Sequence, residues 1–420
     1  MATSWLRPPG LCSSFHRRSE MAREAHVIGA STAGLYAAYR LARKGFEVHL
    51  YDAESNLNPA PRTLILTPYF QRLLDFPSDE VIINRVWRFE LISASASATV
   101  TLKEPDLVVE RRKLFELLLR QASEAGVDIH WGYRLEGLEE EGGSLLLRFR
   151  TGQGYKVVLS SSVIGADGAK STVGRLLGRR ALPLVAVVQA KVNFPKPIPA
   201  DKVQVWFDRN RTRFFVWLIP ESPTTGVVGL VADGMEDARR SLEDFLSSHS
   251  WEPSSFQSAI VPLYLPGTGM MAGKGLRSAI LVGDAAGHMK NTTVGGVVTG
   301  LRGASALIIS SGGVKVGGAW QALKRELWLH AWLRRLLDTF SDEDYNLLLK
   351  LLNARSLRIL AAYPRDDFAK AVIPLLLSQP RWFLLGARSF LKAIGRRHPL
   401  RSRSAVQLAP QHPGRWRRPG

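Results

Sequence analysis

The chain has 420 residues, 45% of them hydrophobic and 22% charged, a balance that fits a packed globular protein and excludes a disordered or fibrous one. At usual domain sizes it holds two or three subdomains around more than one core. The net charge of +19 is uneven: residues 396–420 carry seven Arg and no acid, so much of the excess is a tail attracted to polyanions such as acidic membrane headgroups.

Residues 1–25 hold Arg7, Arg17, Arg18 and Arg23 among several Ser, without the continuous apolar run of a secretory signal. They read as an extension outside the fold, with translation starting at Met21. The single cysteine, Cys12, excludes an intrachain disulfide or a thiolate metal centre and fits a reducing compartment. No apolar run reaches the 18 residues that span a bilayer; the closest, Ala371 to Leu385, is broken by Pro374, Gln379, Pro380 and Arg381. A cytoplasmic chain is expected, with no specific nucleic-acid partner.

In chain order, His26-Val27-Ile28 predicts a strand, Leu35 to Lys44 a helix closed by Gly45, and Glu47 to Tyr51 a second strand. The intervening Gly29-Ala30-Ser31-Thr32-Ala33-Gly34 is a dinucleotide fingerprint with Ser31 in place of the middle Gly. Gly29 makes the tight turn, Gly34 lets the helix pack on the strand, and the helix N-terminus at Ser31 and Ala33 faces a pyrophosphate. Asp52, eighteen residues after Gly34, is spaced to bind both hydroxyls of an adenosine ribose. The same run also resembles a nucleophile elbow, but its partners Asp284 and His288 lie only four residues apart, and the elbow would sit on the very first strand.

Arg112 to Ala125 predicts a helix ending at Gly126, followed by a strand from Val127 to Trp131. An apolar strand from Val157 to Ile164 leads into Gly165-Ala166-Asp167-Gly168, whose plain reading is an Asp-Gly turn. Between Lys202 and Asp233, alternating Val203, Val205 and Phe207, the Arg209-Asn210 turn and two further extended runs predict an antiparallel sheet. Trp217 within it reads, on residues alone, as an ordinary core side chain.

Residues 276–283 predict another strand, entering Gly283-Asp284-Ala285-Ala286-Gly287, with a helix from about Val294 to Ser310. Asp284 suits a polyol such as ribityl, and the helix N-terminus beside Gly295 and Gly296 suits negative charge on a reduced flavin ring. His288 is a weak candidate proton donor, weighed against a hydrogen-bonded structural histidine. Gly267 to Gly275 fails the phosphate-loop template because Thr268 stands where Gly is required. Beyond Ala319 the pattern is helical, with Ser341-Asp342-Glu343-Asp344 capping a helix that ends near Asn353.

The order of the three Gly-rich motifs resembles the FAD-dependent oxidoreductases of the aromatic-hydroxylase fold group, and within it the geranylgeranyl reductase family, from about His26 to Arg388. By position, Gly29, Ser31, Ala33, Gly34 and Asp52 resemble the family's ADP-binding turn. Arg111, at the head of Arg112-Lys113-Leu114, resembles its FAD-contacting arginine, and Asp167-Gly168 its Asp-Gly motif. Gly283 and Asp284 resemble the ribityl-binding pair and Gly295-Gly296 the flavin-facing loop. Phe215-Val216-Trp217-Leu218-Ile219-Pro220 resembles the substrate motif, with Phe215, Trp217 and Pro220 its contacts, although Ile219 replaces the usual Phe and Thr212 an earlier Pro. Phe340 to Tyr345 is similar to the family's C-terminal segment. Some members carry a cysteine after the ribose acid, whereas Asn58 to Leu64 has none, which puts any thiol-dependent step in question; Arg62 in this segment faces either the flavin, an anionic headgroup or solvent.

The resemblance implies an α/β fold, in which a Rossmann-type FAD-binding domain is interrupted by an antiparallel β-sheet substrate domain and followed by a helical C-terminal segment. The expected parts are an extension (1–25), FAD-binding segments (26–80, 106–180 and 271–318), substrate-sheet segments (81–105 and 181–270), a helical region (319–395) and a basic tail (396–420). It further implies FAD, an electron donor that is either NAD(P)H or ferredoxin, an isoprenoid or other apolar lipid, and hydride delivery from reduced FAD to a C=C bond. A flavin monooxygenase or halogenase is the alternative, and a non-catalytic lipid-binding protein with Ser31 blocking the pyrophosphate is the third. The basic region Arg381 to Arg418, with Trp382, Phe383, Leu384 and Phe390, predicts peripheral contact with an anionic membrane surface.

Overall fold

The computed structural model describes residues 24–142, 144–272, 279–310, 313–382 and 384–387. Residues 1–23 of the expected extension, the basic tail, Phe383 and Phe390 therefore lie outside the described residues, while Glu24 and Ala25, assigned to that extension, begin the first strand.

Five parallel strands form the first sheet, in the order Ala279–Leu281, Val163–Gly165, Glu24–Ile28, Glu47–Asp52, Asp128–Trp131. Val27, Val48 and Leu50 point to one face, where the helix Thr32–Ala42 buries Leu35, Ala37, Ala38 and Leu41 in the same core. The helix Arg111–Glu124 adds Leu114, Leu117 and Leu118 to that core. Ile28 and Tyr51, one residue along each strand, point to the other face and meet Phe149 and Leu147 of a small three-stranded meander, Arg134–Glu141, Ser144–Thr151 and Gly154–Ser160.

Two predicted elements are divided in the structure. The apolar run Val157 to Ile164 splits, because the Ser160 hydroxyl donates to the Ser162 carbonyl (3.0 Å) and accepts from the Ser162 amide (3.1 Å), turning the chain out of the meander before Val163–Gly165 enters the parallel sheet. The helix expected from Val294 to Ser310 spans only Val297–Ser305. Val294 takes a left-handed φ of 51° and Lys290 bridges to Gly295, which holds the preceding residues in a loop. At the other end β-branched Ile308 and Ile309 favour the strand Leu307–Ser310, paired with Gly313–Val316.

The second sheet has eight strands, in the order Pro253–Pro262, Leu184–Asn193, Thr225–Ala232, Val216–Pro220, Lys202–Trp206, Ile82–Ser93, Ala96–Glu110, Thr63–Leu66. It is mixed rather than wholly antiparallel, since Lys202–Trp206 runs parallel to Ile82–Ser93 where the two halves of the sheet join. Thr63–Leu66, within the segment expected to belong to the first domain, pairs with Ala96–Glu110 in this sheet. The helix Met235–Ser248 buries Leu242, Phe245 and Leu246 on one face. The other face, with Val86, Val203, Trp217 and Ile219, meets Leu357 and Leu360 of the helix Ala354–Ala362.

The C-terminal region is helical, as expected: Ala319–Leu337, Asp342–Lys350, Ala354–Ala362 and Ala369–Ser378. Ser341 and Asp344 form a reciprocal capping box at the second of these. Among the described residues no helix is long and apolar enough to cross a membrane.

Candidate cofactor-binding site

The fingerprint turn is built by backbone constraints that its sequence satisfies. Gly29 has φ +104°, and a Cβ there would stand 2.6 Å from the Ala166 carbonyl oxygen; one on Gly34 would stand 2.0 Å from the Gly29 carbonyl oxygen. Only hydrogen fits at either place. Ser31 is the helix N-cap, and its hydroxyl accepts from the Gly34 amide at 3.2 Å. The side chain that replaces the middle Gly is therefore folded back onto its own helix, and the amides of Thr32 and Ala33 are left as the helix's dipole-end donors. Ser31→Gly is expected to retain flavin and to change unfolding free energy by only about a few tenths of a kcal/mol. Flavin content and denaturant midpoints check this, and a large gain in FAD affinity would mean that the serine obstructs the phosphate.

Asp52 closes the turn from the second strand. Its Oδ2 accepts from the Ala30 amide (2.6 Å) and its Oδ1 from the Glu54 amide (2.9 Å). Each carboxylate oxygen has a second lone pair, so the ribose-binding capacity survives this anchoring.

The loops at the far ends of three segments bring Arg62, Arg111 and Asp284 within electrostatic reach of one another. Burial pushes the Asp284 carboxyl up, and the two guanidiniums oppose that shift. Burial likewise lowers Arg111, and pushes Arg62 down to about 10. Arg111 is steadied by donating to the Ala60 carbonyl oxygen (2.9 Å) and by lying 4.5 Å from the Phe115 ring centroid. The Nε of Arg62 is enclosed without a hydrogen-bond partner. An enclosed, unpaired guanidinium nitrogen beside a buried carboxylate suits an acceptor-rich ligand with polyol and ring carbonyl groups. Gly296 caps the helix Val297–Ser305 without a side-chain hydrogen bond, and a Cβ on it would stand 3.2 Å from Asp284 Oδ1 and 2.7 Å from Met289. The helix's positive end thus opens next to Asp284. The donor and acceptor set fits FAD: Asp52 and the Gly29 turn would take the ADP half, Asp284 the ribityl, and Arg62, Arg111 and the Gly295-Gly296 terminus would lie around the ring.

Two expected residues also serve the local fold. Asp167 accepts from the Ser171 hydroxyl (2.6 Å) and the Val173 amide (3.0 Å), so both oxygens serve its own turn and the short helix Thr172–Leu176; Gly168 follows with φ +82°. For His288 the geometry matches the hydrogen-bonded structural histidine weighed in the sequence reading. It is fully buried against Trp320 (5.3 Å), its Nδ1 accepts from the Gly283 amide (3.2 Å), and burial pushes it down to about 3. Burial favours the neutral ring, whose Nδ1 holds the Gly283 amide in place.

Trp217 and Phe215 lie 5.7 Å apart and pack beside Met289 and Val294 of the loop that leads to Gly295. The indole rests on Gly229, where a Cβ would stand 2.5 Å from it. Trp217 Nε1 is enclosed without a partner. Pro220 ends the strand, and its carbonyl oxygen accepts from the Asn84 side chain at 2.9 Å.

Sequence reasoning missed a polar scaffold behind the loop. Lys290 pairs with Asp366, whose second oxygen accepts from the Thr67 hydroxyl at 2.7 Å; Thr292 bonds to His330, which faces Glu326 at 3.3 Å. Lys290, a cation inside an apolar and small-residue stretch, was the available signal; Asp366, 76 residues away, had none.

The family model for the FAD binding domain matches residues 23–252. A digeranylgeranylglycerophospholipid reductase of Methanococcus vannielii is 27% identical over 295 residues, 67% of this chain and 74% of that protein. A second, from Methanothermobacter thermautotrophicus, is 25% identical over 374 residues, 80% of this chain and 96% of that protein. Among solved structures, a geranylgeranyl bacteriochlorophyll reductase-like protein of Thermoplasma acidophilum aligns with a TM-score of 0.69 and 15% identity, over 88% of this chain and 98% of that one. A halogenase solved with FAD aligns at 0.59 and 12%, over 87% and 85%. At these identities the structural likeness speaks for the fold alone.

Proposed function

The chain belongs to the FAD-binding-domain family of flavoproteins, and from that premise we propose that it is an FAD-dependent oxidoreductase that reduces C=C bonds of a geranylgeranyl-type isoprenoid lipid. The observation that carries the reading is the position of the Trp217 and Phe215 rings against the loop at Met289 and Val294, next to the polar cluster of Asp284, Arg62 and Arg111. An apolar wall next to a polar cradle suits a hydrocarbon chain lying against a flavin.

When bound, FAD supplies the two-electron chemistry that no side chain of the protein can. The protein's own residues bind, orient and exclude water. The Gly29 turn and Asp52 hold the ADP half, and Asp284, with its charge balanced by Arg62 and Arg111, holds the polyol. The uncapped helix end at Gly296 favours negative charge at its mouth. Trp217, Phe215 and the sheet beneath them fix an apolar chain in one pose and keep water from the reacting carbons. Phe215, Trp217 and Pro220 are the proposed substrate contacts.

Anaerobic turnover of the reduced protein with polyprenyl lipids tests the reading. Reoxidation without oxygen is expected; a strict oxygen requirement would favour a monooxygenase or halogenase. In the same assay Trp217→Ala should keep FAD but lose about tenfold or more in kcat/KM, by removing an aromatic contact worth about 2 kcal/mol. Retention of full kcat/KM would remove Trp217 from the substrate site.

Peripheral membrane contact completes the proposal. It is supported by the exposure of Ile373 (69%), Leu377 (65%) and Leu384 (74%) at the start of the basic, Trp-containing region. Flotation with acidic liposomes should recover the full chain and lose a form truncated before the tail. Equal recovery of both would discharge the tail from that role.

A further inference from the structure

A second group of ligand-type side chains lies on the parallel sheet, on the face covered by the meander and away from the fingerprint helix. In the edge pair of strands, His49 is in register with Asp128, and Tyr51 with His130. Side chains two apart share a face, so His49, Asp128 and His130 rise together. The Tyr51 ring, stacked 4.6 Å from His130 and 4.5 Å from Phe149, fixes the height of the group.

The three ligand atoms are mutually close. His49 Nδ1 is 3.2 Å from His130 Nε2 and 3.3 Å from Asp128 Oδ2, and His130 Nε2 is 3.0 Å from the same oxygen. A cation bound at about 2.0–2.1 Å by nitrogen and oxygen separates neighbouring ligands by about 2.9–3.4 Å, from octahedral to tetrahedral geometry. All three edges of this triangle fall in that range. On the far side of the His49 ring, Nε2 faces Glu24 at 3.5 Å and Glu47 at 3.6 Å, which favours a proton on Nε2 and turns the Nδ1 lone pair toward the triangle. It is the one such group among the described residues.

We propose that His49, Asp128 and His130 bind one divalent transition cation of the zinc class. Two imidazoles and one carboxylate match the ligand preference of such ions, and three protein donors leave a position for water. The Asp128 side chain is 60% exposed, so the ion enters from solvent. The ion ties the edge strand Asp128–Trp131 to Glu47–Asp52, whose last residue anchors the Gly29 turn. This is a clamp on the sheet that carries the cofactor's ribose acid, and it does not depend on which substrate the protein reduces.

The test is calorimetric titration of zinc chloride into the full-length, flavin-loaded protein after chelator treatment and dialysis. One equivalent of zinc is expected to bind. His49→Ala and His130→Ala should each weaken binding about 100-fold or more, and Glu24→Gln about tenfold. Flavin absorbance and circular dichroism monitor folding. Should both histidine variants misfold, Asp128→Asn, at an exposed side chain, decides by the same weakening. Absence of zinc uptake by the wild type, or uptake unchanged in the variants, overturns the proposal and leaves a hydrogen-bonded His-His-Asp network.

Discussion

Asp284→Ala is expected to purify colourless or nearly so, with FAD affinity down about 100-fold and a lower unfolding free energy. The carboxylate is the negative partner of two largely buried guanidiniums, Arg62 and Arg111. Its removal leaves both cations facing each other without compensation, and truncating one partner of a buried charged group costs about 3 kcal/mol or more. The lost hydrogen bonds from a polyol to a charged acceptor account for a further weakening of about 1.5–3 kcal/mol in cofactor binding. Fluorescence titration with FAD and chemical denaturation without FAD read the two effects separately. Asp284→Asn keeps the acceptor oxygen but discards the charge, so it should fall between wild type and Asp284→Ala in both. Unchanged affinity and stability in the alanine variant would place the flavin elsewhere.

What could be read from the sequence divides along a physical line. The turn geometry at Gly29, Gly34 and Asp52 was legible because each satisfies a short-range constraint: a positive φ, a backbone approach too tight for Cβ, a strand-end carboxylate at fixed spacing. The helix Thr32–Ala42 and the capping box at Ser341 were legible for the same reason. What failed was decided by tertiary partners. The run Val157 to Ile164 is uniformly apolar, and only two serine hydrogen bonds divide it between two sheets. His288 was weighed as a proton donor against a structural histidine; what bears on that choice is its burial beneath Trp320, which lies 32 positions on and carries no local signal. The parallel join between Lys202–Trp206 and Ile82–Ser93 likewise needs strands more than 100 residues apart. Arg62 shows the middle case. Its place in the segment after the ribose acid suggested either the flavin, an anionic headgroup or solvent; its enclosure beside Asp284 excludes a plain surface arginine and supports the proposed place beside the cofactor.

Severing the Lys290–Asp366 pair is the second change with a large expected effect. Both side chains are almost fully buried, and the Lys290 amine stands 3.6 Å from where a Cβ of Gly295 would be, directly behind the loop proposed to face the flavin. Burial pushes the Asp366 carboxyl up, but Lys290 and the Thr67 hydroxyl outweigh it and hold it below the usual range. Asp366→Ala therefore strands a buried ammonium and should destabilise the fold by about 3–5 kcal/mol. The loop should lose its anchor to the C-terminal helices, so FAD binding weakens with stability. Lys290→Met with Asp366→Leu removes both charges together and should recover most of the loss, since well-packed apolar groups often match a buried ion pair. The sign with pH follows from the depressed carboxyl: its contribution is complete above the unfolded value of about 3.9 and is lost as pH falls through the folded one. Wild-type stability should thus drop on acidification below about pH 4, and the doubly apolar variant should show a flatter acid limb. Denaturant midpoints across pH, with flavin fluorescence as a second readout, measure all three forms. Asp366→Ala as stable as wild type, or a double variant no better than Asp366→Ala, would show that the pair does not hold the loop.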